Sequence, residues 1–371
     1  MTSKQVVDNL LQGKPAERIA FHDHGPWKET LKKWVKEGYP TVKSDTGVET
    51  PVSFVDHFGY DMSGVGGWFD WMPLRGFREV LEETNNSITI RNGAGAVMRN
   101  WKTYASTPEW VSFRVASRDI WDKEYRPHLL EIDRQRLNIA GVKQNLEAAR
   151  EKGRWAFFGN QFLWENMRNM LGNVCMLESM LLEPGWIHDF NRVYTDFYKN
   201  HFRILIEEAG RPDGIWLYED LGYKNALACS PKTLQELIFP YYKELVQFFH
   251  SYDLPVVLHS DGHIDEAIPL IIDAGFCAIN PIDTKAGCDL FKYAEQYGDK
   301  LAFIGGFNES ILESADRQLI KREVVRIVEG MKSLGVGYLF GVDHSISPNV
   351  TYASFKYALE IYREHMYYNL S

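Results

Sequence analysis

The chain has 371 residues, 45% of them hydrophobic and 25% charged, with a net charge of -9. That is enough for one large globular domain or two ordinary ones, and the absence of any Lys/Arg block or basic stripe argues against a nucleic-acid binder. No run of apolar residues is long enough to span a bilayer, and Met1 to Arg18 lacks the apolar centre of a signal peptide. Cys175, Cys229, Cys277 and Cys288 show no CxxC spacing, so a soluble protein of the reducing cytoplasm is expected.

Arg18 to His22 opens the chain as a short strand, broken by Gly25-Pro26-Trp27. Glu29 to Glu37 carries Leu31, Trp34 and Val35 at helical spacing. From about residue 41 to 110 the pattern turns irregular and rich in Gly and Trp, and Asn85-Asn86 marks a hairpin inside it. This stretch reads as an insertion in a single domain covering 1–371.

Val111–Ala116 is the next expected strand, and Arg126 to Arg150 a helix ended by Gly153. Strands are then expected at Arg154–Phe158, Gly214–Tyr218, Pro255–Leu258, Cys277–Asn280, Leu301–Ile304 and Tyr338–Gly341, mostly with one helix between neighbours. The last long helices hold Val324, Ile327, Val328, Met331 and Leu334, stopped by Gly335, and Phe355 to Met366. Eight strands alternating with helices predict an α/β protein, a modified (β/α)8 (TIM) barrel whose first crossover is swollen by the insertion. No GxGxxG or P-loop follows a strand, which weakens nucleotide-binding readings.

Barrel chemistry sits at the carboxyl ends of the strands. Those ends offer His22 and His24, Asn160 and Gln161, Glu219 and Asp220, His259 and Asp261, and Asp343 and His344. Each has a plain structural alternative. Glu219-Asp220 could cap a helix or pair with Lys224, Asp261 could cap the helix near Ile264, and His344 could be an ordinary loop residue. Two chemistries suit the rim: a His/carboxylate site for Zn²⁺, or a carboxylate pair of Glu219 with Asp343 or Asp220 for glycoside hydrolysis. Most tryptophans, Trp216 included, are expected in the core, whereas Trp68 and Trp71 stand among loop glycines and suit a pocket wall.

The series Tyr218-Glu219-Asp220-Leu221-Gly222, Ser230-Pro231, Pro240-Tyr241, His259-Ser260-Asp261-Gly262, Asn280-Pro281 and Gly298 to Gly306 resembles the uroporphyrinogen decarboxylase superfamily, over roughly residues 110–365. The resemblance implies the same modified barrel. The decarboxylases themselves carry an arginine-rich N-terminal segment that grips porphyrinogen carboxylates, where this chain reads Ala20 to Trp27 with no arginine. The corrinoid-dependent methyltransferase branch binds zinc through His-x-Cys and a later Cys; here Asp261 and His344 stand at the two cysteine positions.

Gly25 to Gly38 looks like the N-terminal stretch of the O-demethylase methyltransferases. The resemblance therefore implies methyl transfer from a methoxylated, aromatic substrate to the Co(I) corrinoid (cobalamin type) of a partner protein. It implies Zn²⁺ on Glu219, His259 and His344, with Asp261 a fourth ligand or a partner orienting a histidine; Glu219, Asp220 and His259 are then catalytic, and Trp68, Trp71, Asn160 and Tyr218 lie against substrate. A homodimer is compatible with it. The rivals are a decarboxylase-like enzyme on another substrate, a glycoside hydrolase using Glu219, and a non-catalytic corrinoid-protein-binding module.

Overall fold

The computed structural model describes residues 1–43, 47–104 and 106–368. Its centre is an eight-stranded parallel sheet that curls on itself. In chain order the strands are β1 (Ala20–Phe21), β2 (Met62–Gly66), β3 (Trp155–Gln161), β4 (Gly214–Tyr218), β5 (Val256–His259), β6 (Ala278–Asn280), β7 (Ala302–Ile304) and β8 (Tyr338–Phe340). They pair in the order β1-β8-β7-β6-β5-β4-β3-β2. Among the described residues the seam between β1 and β2 has no ladder. It is closed by the Asp61 amide donating to Phe21 O at 2.9 Å and by the Asp61 carboxylate, which accepts from Phe21 N and from Arg18.

Alternation along the strands separates two apolar layers. Ala20, Met62, Phe157, Trp216, Val257, Ala278, Ile304 and Leu339 point into the barrel. The helix Ser3–Leu11 adds Val6, Val7, Leu10 and Leu11 to that inner layer at the amino ends of the strands, and Trp155 Nε1 donates to Asp8 across the contact at 2.9 Å. The opposite parity, including Phe158, Ile215, Leu217, Leu258 and Phe303, packs against the surrounding helices. Among the described residues no helix is long and apolar enough to cross a membrane.

Seven of the eight expected strands stand where alternation placed them. The exception is the second: Met62–Gly66 occupies it, and Glu109–Phe113 is instead an edge of an antiparallel sheet with Arg78–Glu83, Ser87–Asn92 and Ala96–Trp101. Steric demand explains the disguise. A Cβ at Gly67 would lie 2.7 Å from Phe158 Cβ, and Gly64 faces the Phe157 ring, so this strand is built from small residues and lacks the apolar run of its neighbours.

The antiparallel sheet, with the expected hairpin at Asn85-Asn86, therefore belongs to the second crossover, not the first. The expected helix over Arg126 to Arg150 is also shorter: Asp133 caps a separate turn, and the helix runs over Ile139–Glu151 from an Asn138 cap.

Candidate functional site

Inward parity carries Trp216 and Val257 on to Tyr218 and His259, and Ala278 on to Asn280. Register sets these side by side at the barrel mouth, since Tyr218 pairs with His259 and His259 with Asn280. After β1, His24 packs edge-on against His259 with ring centroids 4.7 Å apart.

Asn280 sets the state of both imidazoles. Its Nδ2 donates to Ile304 O at 3.1 Å, so its Oδ1 accepts from His259 Nδ1–H and His24 Nε2–H, each at 2.7 Å. His259 Nε2 is thereby turned toward Asp261 Oδ2 at 3.6 Å and Asp220 Oδ1 at 3.8 Å. One ligand atom from each of Asp220, His259 and Asp261 lies within 4.8 Å of the others. Asp261 Oδ1 is buried with no hydrogen-bond partner among the described residues.

The two loops that bring the carboxylates together touch through glycine. Gly262 has φ +86°, and a Cβ there would lie 2.4 Å from the Gly222 carbonyl carbon. This close approach seats the Asp261 amide 3.0 Å from Asp220 Oδ1.

Electrostatics follow from that packing. Burial opposes charge on His259, but Asp261 and then Asp220 outweigh it and raise its pKa to about 9. Burial and then His259 push His24 the other way, to about 3, and burial with His24 does the same to His22. Asp261 is lowered to about 2, as the attraction of His259 exceeds the cost of burial. Burial, then Asp220, raises Glu165 to about 7, against the neighbouring Arg168.

An aromatic row extends the site. Trp68, 58% exposed, meets Tyr218 at 5.0 Å, and Tyr218 meets His259 at 4.9 Å. Below them Trp216 lies 5.0 Å from His22 and 5.9 Å from His24. Beside the carboxylates a groove of about 320 Å³ is lined by Arg168, Tyr223, Lys224, Asp283 and Lys285 together with Asp220 and Asp261.

The other expected residues stand apart. Glu219 is fully buried, and its carboxylate accepts from Phe162 N, from Trp164 N at 2.7 Å and from the Tyr242 hydroxyl. It caps the helix Leu163–Leu182, and burial raises its pKa despite those donors. Both Glu219 oxygens are thus engaged, and among the described residues Glu219 lies outside the Asp220–His259–Asp261 group.

His344 is half-buried, close enough for its charge to act on Asp261, but it lies outside the group of three and donates from Nδ1 to Ser345 O. Trp71 packs on Tyr194 in the outer layer, away from the mouth. Asn160 is fully buried and donates to Gly67 O at 2.7 Å, tying β3 to the loop that carries Trp68. Asp343 accepts from Glu309 N at 2.9 Å and from the Thr284 hydroxyl. The Gly25-Pro26-Trp27 stretch pairs with the loop after β8, with Ile346 N donating to Gly25 O at 3.0 Å.

Sequence reasoning missed Asn280 as an orienting group, as well as Glu165 and Arg168. Strand-end parity could have found Asn280. Glu165 and Arg168, on the first turns of a helix, look in sequence like any solvated helical charge.

The chain is 26% identical over 161 residues to a uroporphyrinogen decarboxylase of Chlorobium phaeovibrioides, covering 42% of this chain and 43% of that protein's length. A methyltransferase from Methanosarcina mazei superposes with a TM-score of 0.68 at 14% identity, over 98% of this chain and 99% of its own. At that identity the likeness is one of fold. A chitinase from Chromobacterium violaceum reaches a TM-score of only 0.41 at 8% identity, over 93% of this chain and 99% of its own, and gives the hydrolase reading no support. The uroporphyrinogen decarboxylase (URO-D) family matches residues 164–365, from the helix after β3 to the last helix. With more than half the chain matched and the barrel complete, this protein belongs to the uroporphyrinogen decarboxylase family.

Proposed function

We propose that the chain is a corrinoid-dependent methyltransferase acting on a small methoxylated, aromatic substrate. The acceptor is the cobalt of a corrinoid carried by a partner protein, and Zn²⁺ is held by His259, Asp220 and Asp261. The donor set carries the reading: an imidazole fixed at Nδ1 by Asn280, two carboxylates facing its Nε2, and an Asp261 oxygen buried without a hydrogen-bond partner among the described residues. Nitrogen and oxygen donors of this kind suit Zn²⁺ and leave it more electrophilic than thiolates do. When bound, the ion supplies a Lewis acid for an ether oxygen and makes the departing phenolate a better leaving group.

The chain's own side chains do the rest. Trp68 and Tyr218 offer two ring faces against which an aromatic substrate can stack. Half-buried His24 and fully buried Trp216 form the floor of the site beneath the reacting end. Glu165 accepts from Arg168 and so positions that guanidinium beside the carboxylates. Arg168, 3.8 Å from Asp220 Oδ2, balances charge among the carboxylates.

Metal analysis of the purified protein beside its His259→Ala variant, followed by methyl transfer from methoxyaromatics to Co(I) corrinoid, tests this reading. The expected result is loss of one zinc equivalent per chain in the variant, together with loss of methyl transfer. Metal-independent cleavage of aryl glycosides would overturn it. So would capture of the corrinoid protein with no methyl transfer from any methoxylated donor.

A further inference from the structure

A second group of metal-type side chains lies beyond the barrel-mouth cluster. His263 and Asp265 follow β5, and Cys288 follows β6; one ligand atom from each falls within 4.8 Å of the other two. The His263 ring is oriented for coordination. Its Nδ1 donates to Ala286 O at 2.9 Å, so in the neutral ring Nε2 carries the lone pair, and that atom lies 3.7 Å from Asp265 Oδ1. Ligand atoms in a tetrahedral zinc site stand roughly 3.3–3.6 Å apart, given metal–ligand bonds of about 2.0–2.3 Å. The His263–Asp265 pair is thus within a few tenths of an ångström of that spacing.

His263, through Nδ1, and Asp265, through Oδ2, are also held from behind, as metal ligands commonly are. Asp265 is steadied by Lys292 Nζ at 2.5 Å on Oδ2 and by the Tyr293 hydroxyl on Oδ1. Cys288 is buried and donates to Gly262 O at 3.4 Å. The loops are cross-tied by Asp283, whose carboxylate accepts from Gly262 N at 3.1 Å and Ala286 N at 3.0 Å.

We propose that His263, Asp265 and Cys288 form a second metal site for a thiophilic divalent cation of the zinc class, with water completing the tetrahedron. On binding, the Cys288 thiol gives its proton to solvent, a sulfur–metal bond replaces the S–H to Gly262 O contact, and no oxidation state changes. The site differs chemically from the mouth cluster, which contains no sulfur. It joins the segment carrying Asp261 to the loop after β6, so its occupancy stiffens the backbone that presents Asp261.

Co²⁺ titration of the metal-free, full-length protein tests the proposal, because a thiolate-to-cobalt charge-transfer band can arise only where cysteine coordinates. The band is expected in the native protein and in His259→Ala, and is lost in Cys288→Ser. His263→Ala should weaken the band-forming affinity at least tenfold, consistent with loss of one ligand. No band in the native protein, or a band persisting in Cys288→Ser, overturns the site. Should Cys288→Ser not fold, His263→Ala decides alone, and unchanged affinity there rejects the proposal. Either outcome leaves the mouth cluster untouched, since its nitrogen and oxygen donors contribute no such band.

Discussion

Asn280 binds no substrate in this reading, yet two histidines depend on its one carbonyl oxygen. Replacing it with Ala strands two buried N–H groups and frees both rings to change tautomer. We expect Asn280→Ala to cost about 1–3 kcal/mol of stability for the unsatisfied donors, and to weaken zinc binding about 10- to 100-fold, as loss of an orienting partner does. Urea unfolding and competition with a chelating dye measure the two effects separately. An affinity that stays constant while stability falls would limit Asn280 to packing. The strand ends were legible in sequence because apolar runs stop abruptly there, and His259 and Asp261 stood out. Partnerships were not legible: Glu219 and Asp220 are adjacent in the chain just after β4 ends at Tyr218, yet one turns under a helix and the other toward the mouth.

At the scale of elements, Glu219 anchors the helix Leu163–Leu182, whose N-terminal end lacks a side-chain cap of its own. Glu219→Ala is expected to destabilise the fold by about 2–4 kcal/mol, combining a lost cap with a buried Tyr242 hydroxyl left unpaired. Zinc stoichiometry in the folded variant should not change; loss of a metal equivalent would return Glu219 to the ligand set.

The helices Pro184–Ile204 and Phe239–His250 are clasped by Arg192 and Lys199 on Glu244, at 2.6 Å and 2.8 Å. Arg192, aided by Lys199 and against the cost of burial, holds Glu244 down at about 2, below its usual 4.5. A carboxylate lowered in the folded state contributes stability above the unfolded pKa, and that contribution is lost as pH falls from about 4.5 through about 2. Because the group is largely solvated, the effect should be no more than about 1 kcal/mol. Glu244→Gln should flatten this part of the stability–pH curve; an unaltered slope would remove the clasp from the account.

At the scale of the whole molecule, apolar runs located seven of the eight barrel strands. The second strand stayed hidden because tight contact with β3 demands glycines, which carry no hydrophobic signal. The same crowding conceals the seam. Asp61 is almost fully buried on its side chain and accepts from Arg18 Nη1 and Nη2, at 2.8 and 2.6 Å, and from Phe21 N at 2.7 Å. Asp61→Ala leaves the Arg18 charge without its partner, and a loss of about 3–5 kcal/mol is expected in urea unfolding. A change under 1 kcal/mol would mean that the strands close without it.

Seven joints of the cylinder are ladders, and the eighth is this clasp. Deuterium should therefore reach the Asp61 and Phe21 amides sooner than those of β3 to β7. The clasp lies between the strand that leads to His22 and His24 and the strand that leads to Trp68. A barrel that loosened along that line would part the histidine side of the mouth from the Trp68 side, since ladders hold the other seven joints.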